Sequence, residues 1–144
     1  MNIINPATEE IITTIQEDNQ AILALKFERL QTSAKQWSAV PIQTRAEILE
    51  KFVSLLKENM EELAAILTSE MGKPLQQSRN EINGAGGKAM WLAQHATQYL
   101  SEEIMSASEQ MTEKIVHEPL GIICNISAWN YPYNVGFNIF IPRI

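Results

Sequence analysis

The sequence predicts a mainly helical chain with a few strands, and three observations carry that reading. Apolar residues recur at alternating steps of four and three through much of the stretch from Asn19 to Leu100. Strand-like apolar runs are confined to the two ends, around Ile11 to Ile15 and within "KIVHEPLGIICNIS". Prolines stand between the periodic segments, and Gly72 with Pro74 separates two of them. At 144 residues the chain has the length of one ordinary domain, enough to bury a sizeable core.

Taken in order, "INPATEEIITTIQ" begins with a turn at Asn5-Pro6 and continues into a short strand. Leu23, Phe27, Leu30, Ala34 and Trp37 then mark one face of a first helix. Pro41 suits a first helical turn, and Ala46, Leu49, Val53 and Leu56 repeat the pattern in a second. Asn59 followed by Glu62 has the spacing of a capping box, which opens a third helix through Leu63 and Leu67. Gly72 stops that helix, and Pro74 restarts the chain as a fourth, from Leu75 to Leu100, weakened by Gly84, Gly86 and Gly87. "SEEIMSASEQ" reads as a polar surface connection. Two strands joined at Glu118-Pro119-Leu120-Gly121 follow, and Pro132 starts a last helix that is apolar on nearly every side through Ile144.

Composition narrows the function. Hydrophobic residues make up 45% and charged residues 19%, the balance of a folded chain rather than a disordered one. A net charge of −6 with no Lys or Arg block argues against nucleic acid as a partner. The single cysteine, Cys124, rules out an intramolecular disulfide framework and suits a reducing cytoplasm. With His95 and His117 far apart from each other, Cys124 makes no metal-ligand cluster. "MNIINPATEE" lacks the basic start and apolar core of a signal peptide. Residues 119 to 142 carry no charge and are long enough to span a bilayer. Four asparagines and three prolines make them a poor spanning helix, so no membrane role is expected.

Several motifs have plain explanations. "GAGGKA", residues 84 to 89, fits a loose dinucleotide pattern but lacks the apolar strand that must precede it, so close helix packing is expected. Cys124 sits in an apolar run without a nearby cation and reads as a buried structural thiol. His95 reads as a helix-surface or packing residue, and His117 as a strand residue. Trp91, Trp37 and Phe27 read as core residues. Asn130, between Trp129 and Tyr131-Pro132, has two readings. At the carboxyl end of a strand its amide would donate to a developing oxyanion; at a helix start it would be a cap or turn residue, a common place for asparagine.

"EPLGIICNISAWNYPYNVGFNIFIP" resembles the segment of aldehyde dehydrogenases that leads into their cofactor domain. "INPATEEII", "RAEIL" and "EMGKPLQQSRNEI" match in the same order, so the likeness covers essentially the whole chain. The resemblance implies an α/β parent fold, of which this chain is the amino-terminal part, residues 1–144, carrying the start of the cofactor-binding domain. It implies oxidation of an aldehyde by NAD or NADP through a cysteine thiohemiacetal, and succinate semialdehyde is the expected substrate. Asn130 matches the family's oxyanion donor. Ile126, Ser127, Ala128 and Trp129 match strand residues that line the cofactor, and residues 112–121 resemble a strand used in homo-oligomer assembly. Family members are about three times as long. Their nucleophilic cysteine, general-base glutamate and cofactor lysine fall beyond Ile144, and Cys124 does not match the nucleophile. The closing "FIPRI" also departs from the family pattern. The expected alternative is a non-catalytic chain that acts only by packing against a partner.

Overall fold

The computed structural model describes residues 1–143; Ile144, assigned above to the terminal helix, lies outside them. Strands β1 (Asn2–Ile4) and β2 (Ile11–Thr14) form an antiparallel hairpin with a register shift between Ile3 and Ile4. Four helices follow: α1 (Gln20–Ser38), α2 (Ile42–Glu58), α3 (Met60–Met71) and α4 (Leu75–Leu100). A second antiparallel hairpin pairs β3 (Glu103–Ala107) with β4 (Thr112–Ile115). Helix α5 (Pro132–Phe140) and a 3₁₀ turn (Ile141–Arg143) close the described chain.

The core lies where α4 packs on α2, α3 and α5. Ala46, Leu49, Val53 and Leu56, the four positions marked by the periodicity of α2, are all buried. They face Ala85, Ala89 and Ala93 of α4, with Phe137 and Ile141 completing the cluster. Ala64 and Leu67 of α3 form a smaller cluster with Ile82. "GAGGKA" therefore lies in mid-helix as a packing surface. At Gly86 an added Cβ would come within 3.8 Å of Val53.

The helix ends follow local chemistry. Asn19 caps α1, its Oδ1 accepting from the Ile22 N–H at 3.0 Å. Gly72 ends α3 with φ +68°, a left-handed conformation that side chains with a Cβ resist. A Cβ at Gly72 would also stand 2.9 Å from Pro6 Cγ, so the β1–β2 turn packs closely on the α3–α4 corner.

Several expectations are corrected. Asn59 does not build a capping box. Its Nδ2 donates backwards to the Leu55 carbonyl at 2.8 Å, so its side chain closes α2, and only its main-chain carbonyl, accepting the Leu63 N–H, opens α3. "SEEIMSASEQ" is not a plain connection: it supplies β3, and Ser108 turns the chain by accepting the Met111 N–H on Oγ. The strand expected after Gly121 is absent, because no described strand lies beside residues 122 to 128 to take its backbone hydrogen bonds; His117, likewise, falls just past β4. Cys124 is exposed for the same reason. Phe27 and Trp91 are half exposed, and α1 buries none of its residues, since among the described residues nothing covers its apolar face. Trp91 instead joins an outer ring cluster on α4, its ring centre 4.4 Å from that of His95 one turn on and 6.0 Å from that of Tyr99 two turns on.

Among the described residues no helix is long and apolar enough to cross a membrane.

Candidate functional site

The α3–α4 corner builds the site. Because Gly72 ends one helix and Pro74 opens the next, Lys73 stands on a short connector with its side chain turned inward. Lys73 is only 10% exposed at its side chain, and Glu81, two turns into α4, is 1% exposed. Lys73 Nζ donates to Glu81 Oε2 at 2.6 Å and to the Asn130 main-chain carbonyl at 2.7 Å. It also lies 4.0 Å from the centre of the Tyr131 ring, within cation–π range.

The other oxygen of Glu81 serves a different element. Oε1 accepts the main-chain N–H groups of Tyr133 at 2.9 Å and Asn134 at 3.3 Å, in the first turn of α5. That turn carries no acidic residue, and its cap position, Tyr131, makes no side-chain cap. Helix α5 thus takes its N-terminal negative charge from α4, where it meets unpaired N–H groups and the positive end of the helix dipole. Through one carboxylate and one ammonium, the chain entering α5 is fixed to the α3–α4 corner. Tyr133 feels this charge: burial, then the carboxylates of Glu70 and Glu81, raise its hydroxyl above the ordinary tyrosine range.

Asn130 lies just ahead of α5 in a turn, not at a strand end, because the preceding strand does not form. Its main chain is held, yet its side-chain amide makes no hydrogen bond among the described residues. Asn130 lines a cleft of about 360 Å³ together with Pro6, Glu70, Lys73, Gln77 and Trp129. Ile126 and Trp129 project outward, 92% and 77% exposed. Ala128 is exposed, while Ser127 is half-buried and donates through Oγ to Asn125 Oδ1 at 2.8 Å. Asn125 in turn reaches the Gly136 carbonyl of α5 at 3.4 Å. Residues 126 to 129 therefore present an open, largely apolar strip anchored to α5. Such a strip fits one wall of a dinucleotide site; among the described residues no glycine-rich turn for phosphate adjoins it.

Sequence reasoning singled out Asn130 and its four predecessors; of these, Trp129 and Asn130 line the cleft, and Ile126, Ser127 and Ala128 are not part of its lining. It passed over Lys73 and Glu81. Their signal was weak, since "NEIN" reads as an exposed helical face and nothing local links residue 73 with residue 130.

Comparison with known proteins decides the family. The model of the aldehyde dehydrogenase family matches residues 1–144, the entire chain. The chain belongs to the aldehyde dehydrogenase family. A probable succinate-semialdehyde dehydrogenase [NADP(+)] from Sinorhizobium fredii is 30% identical over 131 residues, covering 91% of this chain and 27% of the relative. The structure of a glyceraldehyde-3-phosphate dehydrogenase from Methanocaldococcus jannaschii, complexed with NADP, superposes with a TM-score of 0.93 at 26% identity, over 99% of this chain and 31% of that one. A betaine aldehyde dehydrogenase from Staphylococcus aureus, in complex with NAD+, gives 0.91 at 27% identity, over 99% and 29%. The chain spans about three-tenths of the length of these aldehyde dehydrogenases. The mainly helical fold with few strands is therefore a partial aldehyde dehydrogenase fold.

Proposed function

We propose that this chain supplies the oxyanion donor and one cofactor wall of an NAD(P)-dependent aldehyde dehydrogenase that oxidises an aldehyde to its acid. The observation that carries the reading is the divided state of Asn130, which lines the cleft: its carbonyl is clamped by Lys73, and its side-chain amide makes no hydrogen bond among the described residues. A helix cap would spend that amide or its oxygen on α5, but the first N–H groups of α5 are taken by Glu81. An asparagine NH2 is a neutral donor on a fixed backbone. It strengthens its hydrogen bond as a thiolate adds to the aldehyde carbonyl and charge collects on the oxygen.

Ile126, Ser127, Ala128 and Trp129 would hold one side of NAD or NADP, which supplies the hydride acceptor. Succinate semialdehyde is the proposed substrate, supported by the name carried by the Sinorhizobium fredii relative. The cytoplasm is the proposed compartment, in keeping with the lone free thiol. Residues 112–121, whose strand β4 is exposed along its whole length, are proposed to pair with a second copy in a homo-oligomer.

The test is Asn130→Ala in an active aldehyde dehydrogenase that carries this chain. Turnover should fall by roughly 10²–10³-fold, the effect of removing one oxyanion-hole donor, with cofactor dissociation little changed. Unchanged turnover would return Asn130 to the role of a turn residue. A large loss of cofactor affinity would make it a cofactor contact instead.

A further inference from the structure

We propose that Lys73 and Glu81 are positioning residues that set the aim of the Asn130 amide. The proposal rests on the catalytic reading of Asn130 and extends it to the groups that hold that residue still.

Three geometric facts converge. First, among the described residues the hydrogen bond on Asn130 is from Lys73 Nζ to its main-chain carbonyl, at 2.7 Å, across 57 residues of sequence. Second, Lys73 is itself fixed from two further sides, by Glu81 Oε2 at 2.6 Å and by the Tyr131 ring at 4.0 Å. Its ammonium therefore cannot follow the carbonyl if the turn shifts. Third, Glu81 divides its two oxygens between Lys73 and the first N–H groups of α5, so turn and helix are set by the same buried carboxylate.

The chemical consequence concerns distance and angle. An oxyanion donor acts only when it meets the place where negative charge will form, and an error near 1 Å costs on the order of 10²-fold in rate. Rotation of the Asn130 peptide swings its side chain about the backbone, and the Lys73 contact opposes that rotation. Lys73 touches the carbonyl of Asn130, not its amide, so it acts through Asn130. Glu81 acts one step further back, by keeping Lys73 in place.

The experiment is a double-mutant cycle in an active aldehyde dehydrogenase containing this chain, with kcat, KM and cofactor Kd measured for each variant. Lys73→Met should lower kcat by roughly 10-fold, a fraction of the full misplacement effect, and leave KM and cofactor Kd within about twofold. In an Asn130→Ala background the same change should have no further effect on kcat, because the group it aims is gone. Lys73→Arg keeps the charge but not the compact ammonium. It should lower kcat less than Lys73→Met does, and it serves as the test if Lys73→Met fails to fold. An unchanged kcat in the folded lysine variants would overturn the proposal, as would a loss that is fully additive with Asn130→Ala. If Asn130→Ala itself leaves turnover intact, the catalytic reading of Asn130 fails and takes the positioning role with it. That outcome is distinct from a large Asn130 effect with a silent Lys73.

Discussion

Tyr133 reports on the charge around the clamp. Burial and two nearby carboxylates favour its neutral hydroxyl, so the folded chain holds that proton to higher pH than the unfolded chain does. Its contribution to stability is therefore complete below the ordinary value of 10.0 and is lost as pH rises from there through the raised folded value. An ultraviolet difference titration should show a late tyrosine phase that Tyr133→Phe removes. A late phase that survives the substitution would place the raised group elsewhere. At this scale the sequence was readable where a residue's role is local. Gly72 and Asn19 end and begin helices as their types suggest. It was unreadable where the role depends on a distant partner: Asn59 looks like a cap three residues from Glu62, but its amide finds the Leu55 carbonyl instead. Cys124 sits among apolar neighbours in sequence, yet no described element covers it.

Helix α5 shows how one element borrows stability from another. It is nine residues long, short for a helix to stand unaided in water, and it opens with Pro132, whose missing N–H removes one unpaired donor. Glu81 of α4 accepts the next two. Replacing it by alanine would leave the Lys73 ammonium buried without its carboxylate. Glu81→Ala should therefore cost about 3–5 kcal/mol, the range for breaking a buried ion pair on one side. Glu81→Gln keeps an oxygen for the Tyr133 N–H and should cost less. Urea unfolding midpoints for the three proteins check this order; equal midpoints would mean the pair contributes nothing to the fold. The period of the helices was legible because each buries a face at fixed spacing, as the four apolar positions of α2 do. Strand β3 was not, since Glu103, Ser106 and their neighbours are exposed and carry no apolar alternation.

At the scale of the described molecule, apolar surface remains uncovered in several places, among them the Leu23–Phe27–Leu30 stripe of α1, the β3–β4 hairpin, and the strip around Ile126 and Trp129. Such surface exceeds what scattered exposed hydrophobes explain and favours association. The 144-residue chain by itself should therefore self-associate, with an average mass in light scattering that rises with concentration. A strictly monomeric solution would show that these surfaces are better solvated than their side chains suggest. The fold class was legible from periodicity, and the family from ordered motifs such as "EMGKPLQQSRNEI". The clamp at the cleft was not, because it joins residues 73, 81 and 130 only after the chain returns on itself. The claim that matters most is that Asn130 acts on the chemical step. Stopped-flow recording of reduced cofactor formed in the first turnover separates that step from product release. In an active aldehyde dehydrogenase carrying this chain, Asn130→Ala should slow the first turnover by roughly 10²–10³-fold. A first turnover as fast as that of the unsubstituted enzyme would contradict the account.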